Sequence, residues 1–394
     1  MHLDFTQEQD DLRESIRSVL DRECPPALAR GIVDGTPEGR ARADGLWATM
    51  ASLDWPALTV PADAGGVGYG YVELGVLAEE LGRAIAPGPL FTTVTQFVAA
   101  VREAGTPEQQ KRFLGAVAAG EMTGTLAVAE GAGVWDAGAV TTNAVASGHH
   151  WVLHGEKRYV LGGAEADEIA VVASLGEGDV SHDVGLFVVP RADVEIVEVD
   201  SLDRSRPVAT VRLEGVQVDG DRLLGGVGDA GPAIQRILEE ATVALALEML
   251  GTCQAIFDMN VAYANERQQF DRPIGSFQAV KHRLADGLIA LERARACCYF
   301  AAACIGEDDP RRSLAASVAK AAAGDCQRYI TREGIQLLGG IGYTWEHDMH
   351  LYVKRAKAGD ALFGTASHHR ERIAQMVSDR RVDHQGPRWT LDGR

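Results

Sequence analysis

Apolar and polar positions alternate along this chain in three textures. From Thr6 to about Gly120 the apolar residues recur at helical spacing, with Leu12, Ile16 and Leu20 on one face. Thr6 reads as the cap of that helix, and Glu8 and Asp10 follow in its first turn, where acids suit the positive helix end. Cys24-Pro25-Pro26 stops the pattern, because proline has no amide to give the ladder. Another helix runs through Leu46 and Met50 to Trp55-Pro56. A further one covers Glu73 to Leu81, behind the glycine-rich stretch 61–70. That stretch reads as a turn: it lacks the Lys and Ser/Thr of a P-loop and the spacing of a dinucleotide fingerprint.

Near Thr123 the texture changes. Short apolar runs at Thr125 to Val128, Trp151 to Leu153, Ile169 to Val172, Val184 to Val189 and Val208 to Leu213 are separated by Gly, Asn and Asp. They predict a small antiparallel barrel or sandwich. Gly225 to Gly231 reads as a linker. From Pro232 the helical period returns, with Ile234, Leu238, Ala241 and Leu245 on one face. Between Ala241 and Gly251 nearly every position is apolar, which predicts a helix buried all round. More helices follow over Phe277 to Cys304, Leu314 to Leu338 and from His347 onward, with a polar, loosely held tail beyond Asp383. The expected organisation is α+β in three domains: helical 1–121, β 122–228 and helical 229–394.

At 394 residues the chain can bury a large core. Its net charge of −18 argues against a general nucleic-acid binder, while leaving room for a local basic pocket. The six cysteines form no metal-type pair and sit mostly in apolar helical segments, so they read as buried reduced thiols suited to the cytoplasm. The first residues do not read as a signal peptide, and no apolar run reads as long enough to span a membrane.

Two segments carry candidate chemistry. Residues 267–278 read RQQFDRPIGSFQ, a break at Pro273 and Gly275 between two helices. An Arg beside a helix start can hold a phosphate; the plainer reading of Arg267 is a surface ion pair. Residues 336–343 read QLLGGIGY, where Gly339-Gly340 also suits a simple helix C-cap.

Together, in this order and spacing, the two segments resemble those of the acyl-CoA dehydrogenase family, and the resemblance covers nearly the whole chain. It implies an N-terminal helical domain, a middle β domain and a C-terminal four-helix bundle. It implies FAD, with Arg267, Phe270 and Gln278 on the pyrophosphate and Gln336, Gly339 and Gly340 packing on the FAD of a neighbouring subunit. The Arg267 and Gly339-Gly340 groups would then come from two different protomers. Gly155-Glu156-Lys157 matches a family strand whose next residues, Tyr159 and Val160, would lie against the flavin ring. Thr365 and Ser367 would lie near the adenosine or flavin. The implied reaction is α,β-dehydrogenation of an acyl-CoA: a base takes the α-proton, a hydride leaves the β-carbon for flavin N5, and the electrons pass to an electron-transferring flavoprotein. No metal is implied, and a homo- or hetero-oligomer, as a dimer of dimers, is.

Two departures from the family pattern stand out. The segment 127–136, AVAEGAGVWD, lacks the usual Thr and Pro and carries Trp135 near a Ser position, although backbone amides can still face a flavin. Phe363 replaces the Glu that many members carry before Gly-Thr. A relocated base is expected at Glu240, beside the alternative family position that Ala241 occupies. Glu248, two turns on, and the pair His368-His369 are further candidates; a solvated helix start or a buried hydrogen bond is the plainer reading of the glutamates. Other readings stay open. One is a non-catalytic or half-site subunit of a heteromer, similar to actinobacterial relatives acting on bulky steroid-type acyl-CoAs. Another is a flavin monooxygenase or oxidase on the same fold, such as a nitroalkane oxidase.

Overall fold

The computed structural model describes residues 5–131, 133–175 and 183–383, with side chains to residue 378. The polar tail expected beyond Asp383 and the first four residues lie outside the described residues. The helical start comprises α1 (Gln7–Glu23), α2 (Pro26–Val33), α3 (Pro37–Ser52), α4 (Tyr71–Arg83), α5 (Leu90–Thr92), α6 (Val98–Ala104) and α7 (Pro107–Ala118). Thr6 caps α1 reciprocally with Gln9. The proline pair ends α1, and Pro26 also opens α2, which the apolar period alone does not reveal; proline at a first helical position loses no bond.

The middle sheet contains β1 (Gly124–Ala127), β2 (Asn143–Ser147), β3 (His150–Leu161), β4 (Glu168–Leu175), β5 (Val184–Pro190), β6 (Glu195–Val199) and β7 (Val208–Asp219). Its order is β1-β4-β2-β3-β7-β6, with β5 on β4. It is mixed where an antiparallel sheet was expected. β4 runs parallel to both β1 and β2, because the β2–β3 hairpin lies between β1 and β4 in the chain and returns β4 in the β1 direction. β4 and β5 bury both faces. Val171 and Phe187 point into the barrel, while Val172 and Leu186 join the helical core, which explains their continuous apolar runs. β2 and β6 lack such runs, and the apolar pattern missed them.

The last third holds α8 (Gly231–Glu266), the short hairpin β8 (Gln268–Gln269) and β9 (Arg272–Pro273), then α9 (Gln278–Gly306), α10 (Arg312–Leu338), α11 (Met349–Ala361) and α12 (Ala366–Asp383). By length and composition α8 could cross a membrane, contrary to the sequence expectation: it has an 18-residue window of mean hydropathy 1.2. That window is 72% buried inside the fold, packed on α4, α9 and α10. Gly82 on α4 sits against the Glu248 backbone, and Gly251 on α8 sits against the Glu79 carbonyl. This reciprocal small-residue contact brings the two backbones together. Beside it, buried Glu79 and Glu80 are paired with Arg13, Arg17, Arg83 and Arg295, as buried charges require. All six cysteines are free thiols, five of them buried.

Candidate functional site

Two adjoining cavities lie where the middle sheet meets α11 and α12. The barrel-side cavity, about 480 Å³, is lined by Tyr159, Leu161, Asp203, Arg206 and Leu362 among others. The helix-side cavity, about 570 Å³, is lined by Asp136, Gln235, Thr365, His368 and Arg372. Gly133, Trp135 and Ala361 belong to the walls of both.

A register shift between β3 and β7 at Lys157/Val160 places Tyr159. Such a bulge re-aims a side chain. Tyr159 adopts φ +57 and the Arg158 amide leaves the ladder to donate to Ala129 O at 2.8 Å. Val160 turns the other way, into the barrel core, and belongs to neither cavity wall. Under the bulge, fully buried Lys157 donates to Glu130 at 2.5 Å. Burial pushes the Lys157 amine down to about 8. Burial works to raise Glu130, but Lys157, together with donors from Thr141 and Thr142, holds its carboxyl at about 2. Glu130 thereby ties the loop carrying Trp135 back to the sheet.

The turn between α11 and α12 presents Phe363 at φ +53. Lys320 of α10 clamps it: its Nζ donates to Asp360 O at 3.0 Å and Gly364 O at 2.8 Å. His369 Nε2 donates to Phe363 O at 2.9 Å. Burial pushes Lys320 down to about 7 and His369 down to about 3. His369 is therefore a structural donor facing the turn, and only His368 reaches a cavity wall. Thr365 lines the helix-side cavity and also caps α12, accepting from the His368 amide at 3.3 Å; Ser367 is exposed.

Glu240, the expected base, is not in this wall. It lines a different cavity with Tyr71 and Arg236, and both its oxygens are held by Arg102 at 2.6 and 2.5 Å. Burial raises its pKa while Arg102 opposes. On a helix, five residues' separation turns Glu240 well away from Gln235, which does face the helix-side cavity. Glu239 is taken by Arg312 and Ser313. Glu248 lies between Arg206 and Arg355, both at 2.8 Å, which is the buried structural role. Of the cavity carboxylates, Asp203 is fixed by Arg355 at 2.5 Å, and exposed Asp136 accepts from the Gly138 amide.

The 267–278 segment lies elsewhere. Gly334 packs on Ile256 and Asn260, and Tyr329 and Glu333 bond Arg283, so the ends of α8 and α10 and the start of α9 share one end of the bundle. Arg267, Phe270, Gln278, Gln336, Gly339 and Gly340 are all exposed there, Phe270 by 85%. This places the Arg267 and Gly339 groups on the same end of one chain. At a rise of about 1.5 Å per residue, α8 separates Gln235 from Arg267 by roughly 48 Å. That is longer than an extended dinucleotide, so one FAD cannot touch both ends of a single chain. Each end fits part of such a group. Arg267 has no side-chain partner among the described residues, and a Cβ on Gly339 or Gly340 would meet nothing within 4 Å. The barrel-side cavity offers an apolar slot.

Sequence reasoning passed over Lys320 and Arg355. Lys320 left a signal, a lone cation in a run of alanines at 315–323. The meeting of Trp135 with Phe363 left none, since the two are far apart in the chain.

Two family models match: "Acyl-CoA dehydrogenase, N-terminal domain" over residues 6–121 and "Acyl-CoA dehydrogenase, C-terminal domain" over 230–378. The chain is 30% identical over 361 residues to the mitochondrial short-chain specific acyl-CoA dehydrogenase of Bos taurus, covering 90% of this chain and 86% of that one. Among solved structures, the Tcur3481–Tcur3483 steroid ACAD superposes with a TM-score of 0.84 at 30% identity, over 95% of this chain and 99% of that chain. The ChsE4–ChsE5 complex of Mycobacterium tuberculosis superposes with a TM-score of 0.84 at 25% identity, over 96% and 99%.

Proposed function

The chain belongs to the acyl-CoA dehydrogenase family, and on that premise we propose that it performs FAD-dependent α,β-dehydrogenation of an acyl-CoA at sites each built from two chains. The observation that carries the two-chain reading is the separation along α8 of the two surfaces that fit FAD. Arg267 and the Gly339-Gly340 turn of one chain would hold the phosphates, while the cavity of Tyr159 and Leu161 on the next would hold the ring. Bound there, FAD supplies the acceptor for the hydride leaving the β-carbon. The chain's own residues bind and orient. Arg267 offers a free guanidinium to phosphate, and Tyr159 and Leu362 exclude water. Lys320 and His369 fix the turn beside the reacting region. We take the electron acceptor to be an electron-transferring flavoprotein, as in the family, and the compartment to be the cytoplasm.

A second reading concerns the base. Neither cavity has a carboxylate that is both enclosed and uncommitted among the described residues, so the α-proton would be taken by a group from a companion chain. Two of the matched structures are two-component proteins, the steroid ACAD and the ChsE4–ChsE5 complex. A bulky acyl group is the substrate class this reading favours. Monooxygenase and oxidase chemistry is not carried further, because the matching models and relatives are dehydrogenases.

The test is a flavin titration of the purified chain. FAD should bind and turn the protein yellow, and Arg267→Ala should weaken FAD at least tenfold with little change in melting, since the side chain is exposed and unpaired. Equal FAD affinity in the variant would remove Arg267 from the site. Bleaching by acyl-CoA only when a homologous companion chain is present supports the second reading; bleaching by this chain alone rules it out.

A further inference from the structure

Among the described residues, Gln235 is the one α8 side chain in the wall of the helix-side cavity. A free glutamine amide can turn either end toward a ligand, but this one is held. Its Nε2 donates to Glu239 Oε1 at 2.9 Å, one helical turn on, where side chains four apart meet. Glu239 is 3% exposed and is itself fixed from the start of α10. Arg312 Nε donates to its Oε2 at 2.6 Å, and Ser313 Oγ donates to its Oε1 at 2.5 Å. A carboxylate paired with a guanidinium only accepts, so it takes the NH2 end of Gln235 and cannot take the oxygen. The Gln235 Oε1 is thereby left without a donor among the described residues. The rest of the wall offers mainly donors. Arg372 has no ion pair among the described residues, and Thr365 Oγ1 already accepts from the His368 amide, which leaves its hydrogen to give. Asp136 accepts from the Gly138 amide, and exposed Gln375 has no hydrogen bond among the described residues to fix its amide. Trp135, its ring centroid 4.5 Å from that of Phe363, gives the apolar flank. A secondary amide lying here would find donors for its C=O at several points and a fixed acceptor for its N–H at Gln235.

We propose that Gln235 is a specificity-determining residue for the thioester: its Oε1 accepts an amide N–H of the pantetheine arm, and Glu239 is the positioning residue that keeps this oxygen on the cavity side. The inference rests on the function proposed above, in which the substrate is an acyl-CoA. The arm carries two secondary amides between its sulfur and its diphosphate. It matches a wall with one fixed acceptor and, in Arg372, a free guanidinium for phosphate. The helix-side cavity shares Gly133, Trp135 and Ala361 with the cavity of Tyr159 and Leu161, so an arm lying there brings its acyl end toward the flavin ring.

The experiment is calorimetric titration of the full-length, FAD-loaded chain with S-octyl-CoA, a thioether with no carbonyl to acidify an α-proton. Two analogues are titrated beside it, each with one amide N–H of the arm replaced by an ester oxygen. On the wild-type chain one analogue should bind about fivefold more weakly than the parent, the contribution of one neutral hydrogen bond. Gln235→Met keeps the side chain's length without its oxygen. It should weaken S-octyl-CoA about fivefold and leave that analogue within about twofold of its wild-type affinity, so that the discrimination disappears. Glu239→Gln frees the amide to turn and should reduce the discrimination while FAD affinity holds. If Glu239→Gln is poorly folded because Arg312 has lost its partner, Gln235→Met decides alone, since its side chain is only half-buried. Equal binding of all three ligands by the wild-type chain overturns the inference, as does a Gln235→Met chain that still discriminates. A wild-type chain that binds neither FAD nor S-octyl-CoA sinks the function proposed above and the inference with it; one that binds both without discriminating sinks the inference alone.

Discussion

The loop that carries Trp135 depends on one carboxylate. Glu130 is held at about 2 in the fold and would titrate near 4.5 when unfolded. A depressed carboxyl contributes stability that is full above the unfolded value and disappears as pH falls through the folded one. Glu130→Gln should cost about 3 kcal/mol at pH 7, because it leaves Lys157 buried without its counter-charge. Urea melts between pH 5 and pH 3 should then show wild-type stability falling faster than the variant's, by up to about 1.4 kcal/mol per pH unit. Parallel slopes would mean that the pair does not hold the loop. Residue-level legibility was uneven for a physical reason. Phe363 and Trp135 could be flagged as departures because side-chain chemistry is written in the sequence. Glu240 could not be excluded, because the Arg102 that binds both its oxygens lies 138 positions away.

At the scale of elements, α4 and α8 touch through their glycines. Gly251→Ala would drive a methyl group into the Glu79 carbonyl and the Arg83 amide, neither of which is a flexible side-chain end. Chemical denaturation should show a loss of about 2–3 kcal/mol or more, as for other overpacked contacts. A neutral result would mean that the helices can separate freely. The helices themselves were legible from capping residues and apolar period, since both act locally. The parallel pairing of β4 was not, because strand direction is set by which distant strand it meets. The stop after Ala361 was missed for a similar reason: Phe363 at φ +53 is stabilised by Lys320 from another helix, not by a local breaker alone.

Across the whole molecule, one buried guanidinium joins three segments. Arg355 on α11 donates to Asp203 and Ser205 in the β6–β7 connection and to Glu248 on α8. Arg206 completes the cluster through Glu248. Arg355→Met should leave buried Asp203 without its guanidinium and Glu248 with Arg206 alone, and lower stability by about 3–5 kcal/mol in thermal or denaturant unfolding. A loss under 1 kcal/mol would show that the middle sheet is seated on the helices by apolar packing alone. The three-part order was visible in the sequence as a change of period, whereas the latch between the middle and last parts was not, since Asp203 and Arg355 lie 152 positions apart.

The 36-residue α8 has a last consequence. On the proposed two-chain site, a rod with a phosphate-gripping tip at one extremity and a cavity wall at the other would make each copy a tenant in its neighbour's chemistry. A lesion at the tip would silence the pocket next door while leaving its own intact, so two differently damaged copies, combined, would share one working centre between them.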